Sequence, residues 1–142
     1  MSPKAKFLVG LAAVVGLGAI YHGPAGAGDR FAAAVEVQAK TAVADTEIAG
    51  LSVALQRGPL SRVAVISGEA DRFQRDGMGS LPGLNDIVAS VPGVSAVRWA
   101  DEPTRGAMPL LVETLLMLLA GYLLGFGASW LLFGRPKRET YL

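Results

Sequence analysis

Two stretches of the chain are apolar almost without interruption, and the sequence between them changes register every few residues. Thr114–Phe133 runs twenty residues without a charge. As a helix rising ~1.5 Å per residue, that is about 30 Å, the thickness of a bilayer's hydrocarbon core. Phe7–Tyr21 (FLVGLAAVVGLGAIY) is a second uncharged run, of fifteen residues. Between them, Phe31, Val35, Ala39 and Ala42 recur at helical spacing, which predicts a helix over Asp29–Gly50 with Asp29 as its cap and Gly50 as its stop. Glu36 and Lys40 stand in the favourable i,i+4 order on that helix.

Leu51–Arg57 then alternates, with Leu51, Val53 and Leu55 on one side and Ser52, Ala54 and Gln56 on the other. Gly58-Pro59-Leu60-Ser61 reads as a turn, and Arg62–Ser67 (RVAVIS) as a second strand, so the two form an antiparallel hairpin. Ala70–Asp76 is long enough for a helical turn or two before Gly77-Met78-Gly79-Ser80 and Pro82-Gly83 interrupt it. Leu84, Ile87, Val88 and Val91 resume helical spacing until Pro92-Gly93, and Val94–Trp99 reads as a third strand.

The order helix, strand, strand, helix, strand predicts an α+β fold: a small three-stranded sheet with two helices, plus one or two transmembrane α-helices. Phe31, Val35, Leu51, Val53, Val63, Val65, Ile87, Val91, Val97 and Trp99 are the expected core. The expected organisation is a membrane anchor or signal peptide over 1–27 and a folded domain over 28–100. A polar linker over 101–108, a transmembrane helix over 109–134 and a basic tail over 135–142 follow.

The first apolar run supports two readings. As a signal peptide it has Lys4 and Lys6 before it and an Ala25-Gly26-Ala27 cleavage-like end. As a retained anchor, the reading we carry forward, it is extended by His22-Gly23-Pro24, with Tyr21 at headgroup level. Both readings place the middle of the chain across the membrane from Arg135, Lys137 and Arg138. The positive-inside rule then assigns both termini to the cytoplasm and the folded domain to the periplasm of a bacterial inner membrane.

Composition agrees with this division. Only 18% of residues are charged, against about 25% in an average soluble domain. Residues 1–27 carry two lysines and no acid, whereas 28–134 carry eight basic and eleven acidic side chains. Basic ends around a mildly acidic middle fit a membrane hairpin and not nucleic-acid binding.

Small residues four apart lie on one helix face and let a second backbone come close. Gly121, Gly125 and Ser129 do so on the last helix, Ala12 and Gly16 on the first. The neighbour is the protein's own other helix, a second copy, or a different membrane protein. Glu113 sits on the same stripe near the outer end, either as an interfacial carboxylate or as an intramembrane polar contact. Trp130 and Tyr21 read as interfacial anchors.

Chemistry is sparse. The chain has one histidine, His22, and no cysteine, which leaves no protein-only zinc or copper site, and no cofactor is expected. Gly77-Met78-Gly79 with Gly83 lacks the lysine of a phosphate loop and reads as a plain loop. Asp71, Arg72, Arg75 and Asp76 read as a solvated face. Arg57, Arg62, Arg72, Arg75 and Arg98 form a lipid-phosphate patch only if the fold gathers them.

Arg62–Ala70 (RVAVISGEA) followed by Asn85–Trp99 (NDIVASVPGVSAVRW) resembles the BON domain family. The likeness runs over about residues 30–100 and is most specific at Val91-Pro92-Gly93-Val94. It implies a small non-enzymatic module of the bacterial envelope, with no catalytic residues to carry over. The chain differs from the family's usual arrangement in having one copy beside membrane helices, and a helix broken at Gly77–Gly83. The expected function is an accessory or scaffolding subunit of a larger inner-membrane protein complex, with respiratory and photosynthetic complexes as possible hosts. The alternative is an autonomous phospholipid- or envelope-binding module. Expected partners are other membrane proteins, the lipid bilayer or a second copy, with no nucleic acid.

Overall fold

The computed structural model describes residues 2–103 and 106–133; the basic tail expected over 135–142 lies outside them. α1 spans Pro3–His22 and α5 spans Leu110–Phe133. Both are long and apolar enough to cross a membrane, and almost none of either is buried within the protein. Ser2 caps α1 through Ala5 N, with Pro3 at its first position, where a missing N–H costs nothing. The two helices pack antiparallel, so Lys4 and Lys6 share one end of the pair with Trp130 and the folded domain occupies the other.

The domain is α+β. α2 covers Ala27–Ala44, β1 Ser52–Arg57, β2 Leu60–Ser67, α3 Arg72–Asp76, β3 Gly77–Met78, β4 Leu81–Pro82, α4 Leu84–Ala89 and β5 Ala96–Trp99. The main sheet is three-stranded and mixed, in the order β1-β2-β5. β1 and β2 form the expected antiparallel hairpin, and β5 returns parallel to β2. α2 and α4 cover one face. Ala32, Val35, Ala39 and Val43 form α2's buried stripe against Val53, Leu55, Ala64, Ile66, Leu84, Val88, Val91 and Trp99. Alanines at 32, 39 and 64 let helix and sheet approach closely, which suits so small a core.

Four local expectations are corrected. On β2 the buried side chains are Ala64 and Ile66, while Val63 and Val65 are half-buried. RVAVIS is apolar on both pleat faces, so spacing alone does not choose; the register Val53↔Ile66 and Leu55↔Ala64 does. Val63 takes the opposite face, beside Gln56, where Pro103, Gly106 and Ala107 pass over the sheet.

On α2 the expected Val35 and Ala39 are buried, but Ala32 and Val43 complete the stripe, Ala42 is only partly buried, and Phe31 is 39% exposed. The helix begins at Ala27 with Gly26 and not Asp29 in the N-cap position, Ala44 is its last residue and Asp45 its C-cap, and Asp29 stands in the first turn. Glu36 does not pair with Lys40. Its Oε1 accepts from Leu55 N and Arg57 Nη2, both at 3.0 Å, satisfying a backbone donor on the sheet's outer strand. Finally, Gly77–Gly83 is a two-stranded hairpin, with Gly77↔Pro82 and Met78↔Leu81 paired.

The Pro92-Gly93 turn has a local cause. Gly93 adopts φ +99°, and a Cβ there would stand 2.6 Å from Val35 Cγ2. Only glycine supplies both the left-handed backbone and the space.

Candidate functional site: the helix pair and its junction with the domain

The α1–α5 seam is built from two glycines and three aromatic rings. A Cβ added at Gly10 would lie 2.5 Å from the Tyr122 hydroxyl, and one at Gly18 would lie 2.7 Å from Leu118 and 3.0 Å from Leu115. Phe7 packs against Tyr122 and Phe126 with ring centroids 5.5 and 5.2 Å apart. Tyr122 donates its hydroxyl hydrogen to the Phe7 carbonyl at 2.9 Å, so its polar atom is satisfied within the seam.

The expected packing residues lie elsewhere. Gly16, Gly121 and Gly125 have nothing within 4 Å of an added Cβ, and Ala12 and Ser129 are exposed. The Gly121/Gly125/Ser129 stripe therefore borders the seam, beside Leu118 and Tyr122, without α1 closing on it. Trp130 and Tyr21 are exposed as well.

Glu113 is engaged, but by a strand. Its Oε2 accepts from Arg62 Nε at 2.6 Å. Arg62 projects from the start of β2 and Glu113 from the first turn of α5, so the ion pair ties the sheet to the helix pair. Both side chains are at least two-thirds buried, which makes the bond stronger than a surface pair. Beside it, the His22 ring lies over Gly28, where a Cβ would meet His22 Cε1 at 2.6 Å; this fixes the corner between α1 and α2. Tyr21, His22, Phe31, Leu110, Thr114 and Met117 line a cleft of about 540 Å³ around this corner. It is apolar toward α5 and charged only at the Arg62–Glu113 lip.

No protein-family model, curated protein or solved structure matches the chain. The site is therefore read from its own geometry.

The arginines do not assemble into a phosphate-binding patch. Arg57 pairs with Glu36 and Asp29, Arg62 with Glu113, and Arg72 with Asp76. Arg75 donates to Asp101 at 3.0 Å and stacks 3.9 Å over the Trp99 ring. Arg98 donates to the carbonyls of Trp99 and Glu102. The 71–76 segment is thus more than a solvated face: Asp71 forms a capping box with Gln74, and Arg75 is committed to the domain's far wall. Trp99 completes that wall by donating Nε1–H to Asn85 Oδ1 at 2.9 Å.

The glycines of the 77–83 segment are structural. A Cβ at Gly77 would meet Gly83 N, and one at Gly83 would meet Gly77 N, so the two backbones touch. Among the described residues, no group of three or more His, Cys, Asp or Glu is placed to hold a metal ion. What the arrangement offers is a braced display: a packed helix pair, a fixed corner, a partly buried ion pair, and an outward helix face of small residues.

Proposed function

We propose that this protein is a non-enzymatic accessory or scaffolding subunit of a larger membrane complex. In this reading α1 and α5 cross the bacterial inner membrane with both termini in the cytoplasm, and a BON-like domain is held on the periplasmic side. The helix–strand–strand–helix–strand order of residues 27–99 and the Pro92-Gly93 turn support the BON-like assignment. The antiparallel helix pair supports the shared side of the termini.

The observation that carries the proposal is the division of labour on α5. Its Leu115, Leu118, Tyr122 and Phe126 side chains fill the seam with α1, while Gly121, Gly125 and Ser129 leave close-approach room on the flank beside it, which α1 does not cover. In lipid, helix association depends on packing and not on hydrophobicity, so a small-residue face fits a second helix closely. Arg57, Arg62, Arg72 and Arg75 each face an acid and Arg98 donates to backbone carbonyls, a scattered arrangement that favours this reading over an autonomous phospholipid binder, which would gather its cations toward the headgroups.

The chain has no cysteine, so single cysteines can be placed at will. A benzophenone-maleimide attached at Gly125→Cys, photolysed in native membranes, is expected to give one discrete protein adduct. The same probe at Leu8→Cys, an exposed position of α1, is expected to give lipid adducts. Lipid adducts alone at both positions would contradict the proposal.

A further inference from the structure

The end of the domain farthest from the helix pair carries large apolar side chains that nothing folds over. α2 leaves the junction at Ala27 and ends at Ala44, a run of ~27 Å at helical rise. At that far end α3, the β3–β4 hairpin and the chain following α2 frame a groove of about 360 Å³. Phe73, Met78 and Leu81 line it and are 65%, 62% and 67% exposed; Ile48, Pro82 and Ile87 complete its walls. The fold does not require these three side chains in the groove. α3 is held by its Asp71–Gln74 capping box and the hairpin by the contact between Gly77 and Gly83. A cluster of large apolar groups on an exposed surface marks a contact site.

The surroundings of the groove are acidic. Asp71 lines the groove, Asp45 and Glu47 flank its wall residue Thr46 in the chain, and Asp76 and Asp86 line the adjoining side of the same hairpin, against Arg72 and Arg75. Arg72 is held by Asp76 at 3.8 Å, and Arg75 is turned to Asp101 and Trp99. The net sign of the rim is therefore negative.

We propose that this tip docks a short segment of a partner protein that sets one or two large apolar side chains between lysines or arginines. Charge selects this occupant. Anionic lipid would be repelled by the rim, and the groove lies at the end of α2 opposite its connection to α1. A second copy would set one ring of carboxylates against another. The proposal rests on the scaffolding reading and adds to it the surface and the chemistry of the partner.

The test uses the full-length chain in phosphatidylcholine nanodiscs with ¹³C-methyl methionine. Met78 lies in the groove, whereas Met117 is 74% exposed on α5 and reports on the lipid. The probes are a seven-residue Lys/Leu peptide and its Glu/Leu counterpart. The expected result is a saturable Met78 shift with the lysine peptide, at least tenfold tighter than with the glutamate peptide, and no change at Met117. Phe73→Ser with Leu81→Ser, both at exposed positions, is expected to abolish it. A silent Met78, an equal response to the glutamate peptide, or parallel movement of Met117 would overturn the proposal. Recovery of the chain from native membranes as a lone monomer, with the Met78 response intact, would remove the scaffolding reading and leave the groove's chemistry standing.

Discussion

α5 has a closed side and, next to it, an open flank, and the two are built from opposite kinds of residue. One face is closed: Leu115, Leu118, Tyr122 and Phe126 meet α1 at Gly10, Gly18 and Phe7, with no room for a Cβ at either glycine. The flank beside it is open: an added Cβ at Gly121 or Gly125 meets nothing within 4 Å. The comparison teaches that a small residue records where a neighbour is allowed to come close, not which neighbour does. In the seam the glycines of α1 receive the bulky side chains of α5. On the open flank α5 supplies the glycines, and in the proposed reading a partner brings the bulky side chains.

The largest expected effect breaks the closed face. Gly10→Leu with Gly18→Leu forces side chains into Tyr122, Leu115 and Leu118, and overpacking of this kind costs about 1–3 kcal/mol per site. Loss of a disulfide between cysteines placed at Phe7 and Phe126 would report that the helix pair has opened. Next comes the junction. Arg62→Ala removes the donor to a partly buried Glu113 and should cost about 1–3 kcal/mol, read as faster amide exchange at the start of β2. The swapped pair Arg62→Glu with Glu113→Arg should recover part of it; no recovery would mean that the ion pair does not hold the junction. The smallest effect on stability is expected on the open face. Gly121→Leu with Gly125→Leu should leave the protein's own unfolding within about 0.5 kcal/mol, while lowering recovery of its partner more than tenfold. A stability loss as large as that of the seam variant would show that the two faces do not differ.

How much of this was legible in the sequence depended on whether the pattern had one solution. The order of elements, the β1–β2 hairpin and both long helices were legible because uncharged length and alternation leave little choice. The core face of β2 was not, because RVAVIS is apolar at every central position and only pairing with β1 decides that Ala64 and Ile66 go in. Glu36 was read locally with Lys40, yet its partners are 19 and 21 residues away on β1, where no i,i+4 rule reaches. Glu113 was visible as an anomaly in an apolar run, but Arg62 as its partner was not. The seam glycines Gly10 and Gly18 were passed over because Ala12 and Gly16 show the regular four-residue spacing, while the true contacts are eight apart and opposite Tyr122 and Leu118. The tip groove was hidden for a related reason: Phe73, Met78 and Leu81 become neighbours only once Gly77–Gly83 closes into a hairpin.

The account turns on α5 offering its open face to another protein, and the mass of the particle taken gently from native membranes tests this most directly. Native mass spectrometry of the full chain should give a reproducible assembly well above the 14.7 kDa of the single chain, and the Gly121→Leu/Gly125→Leu variant should fall back to that single-chain mass with its helix pair intact. A wild-type chain that itself appears only at 14.7 kDa, or a variant that keeps the full assembly, would contradict it.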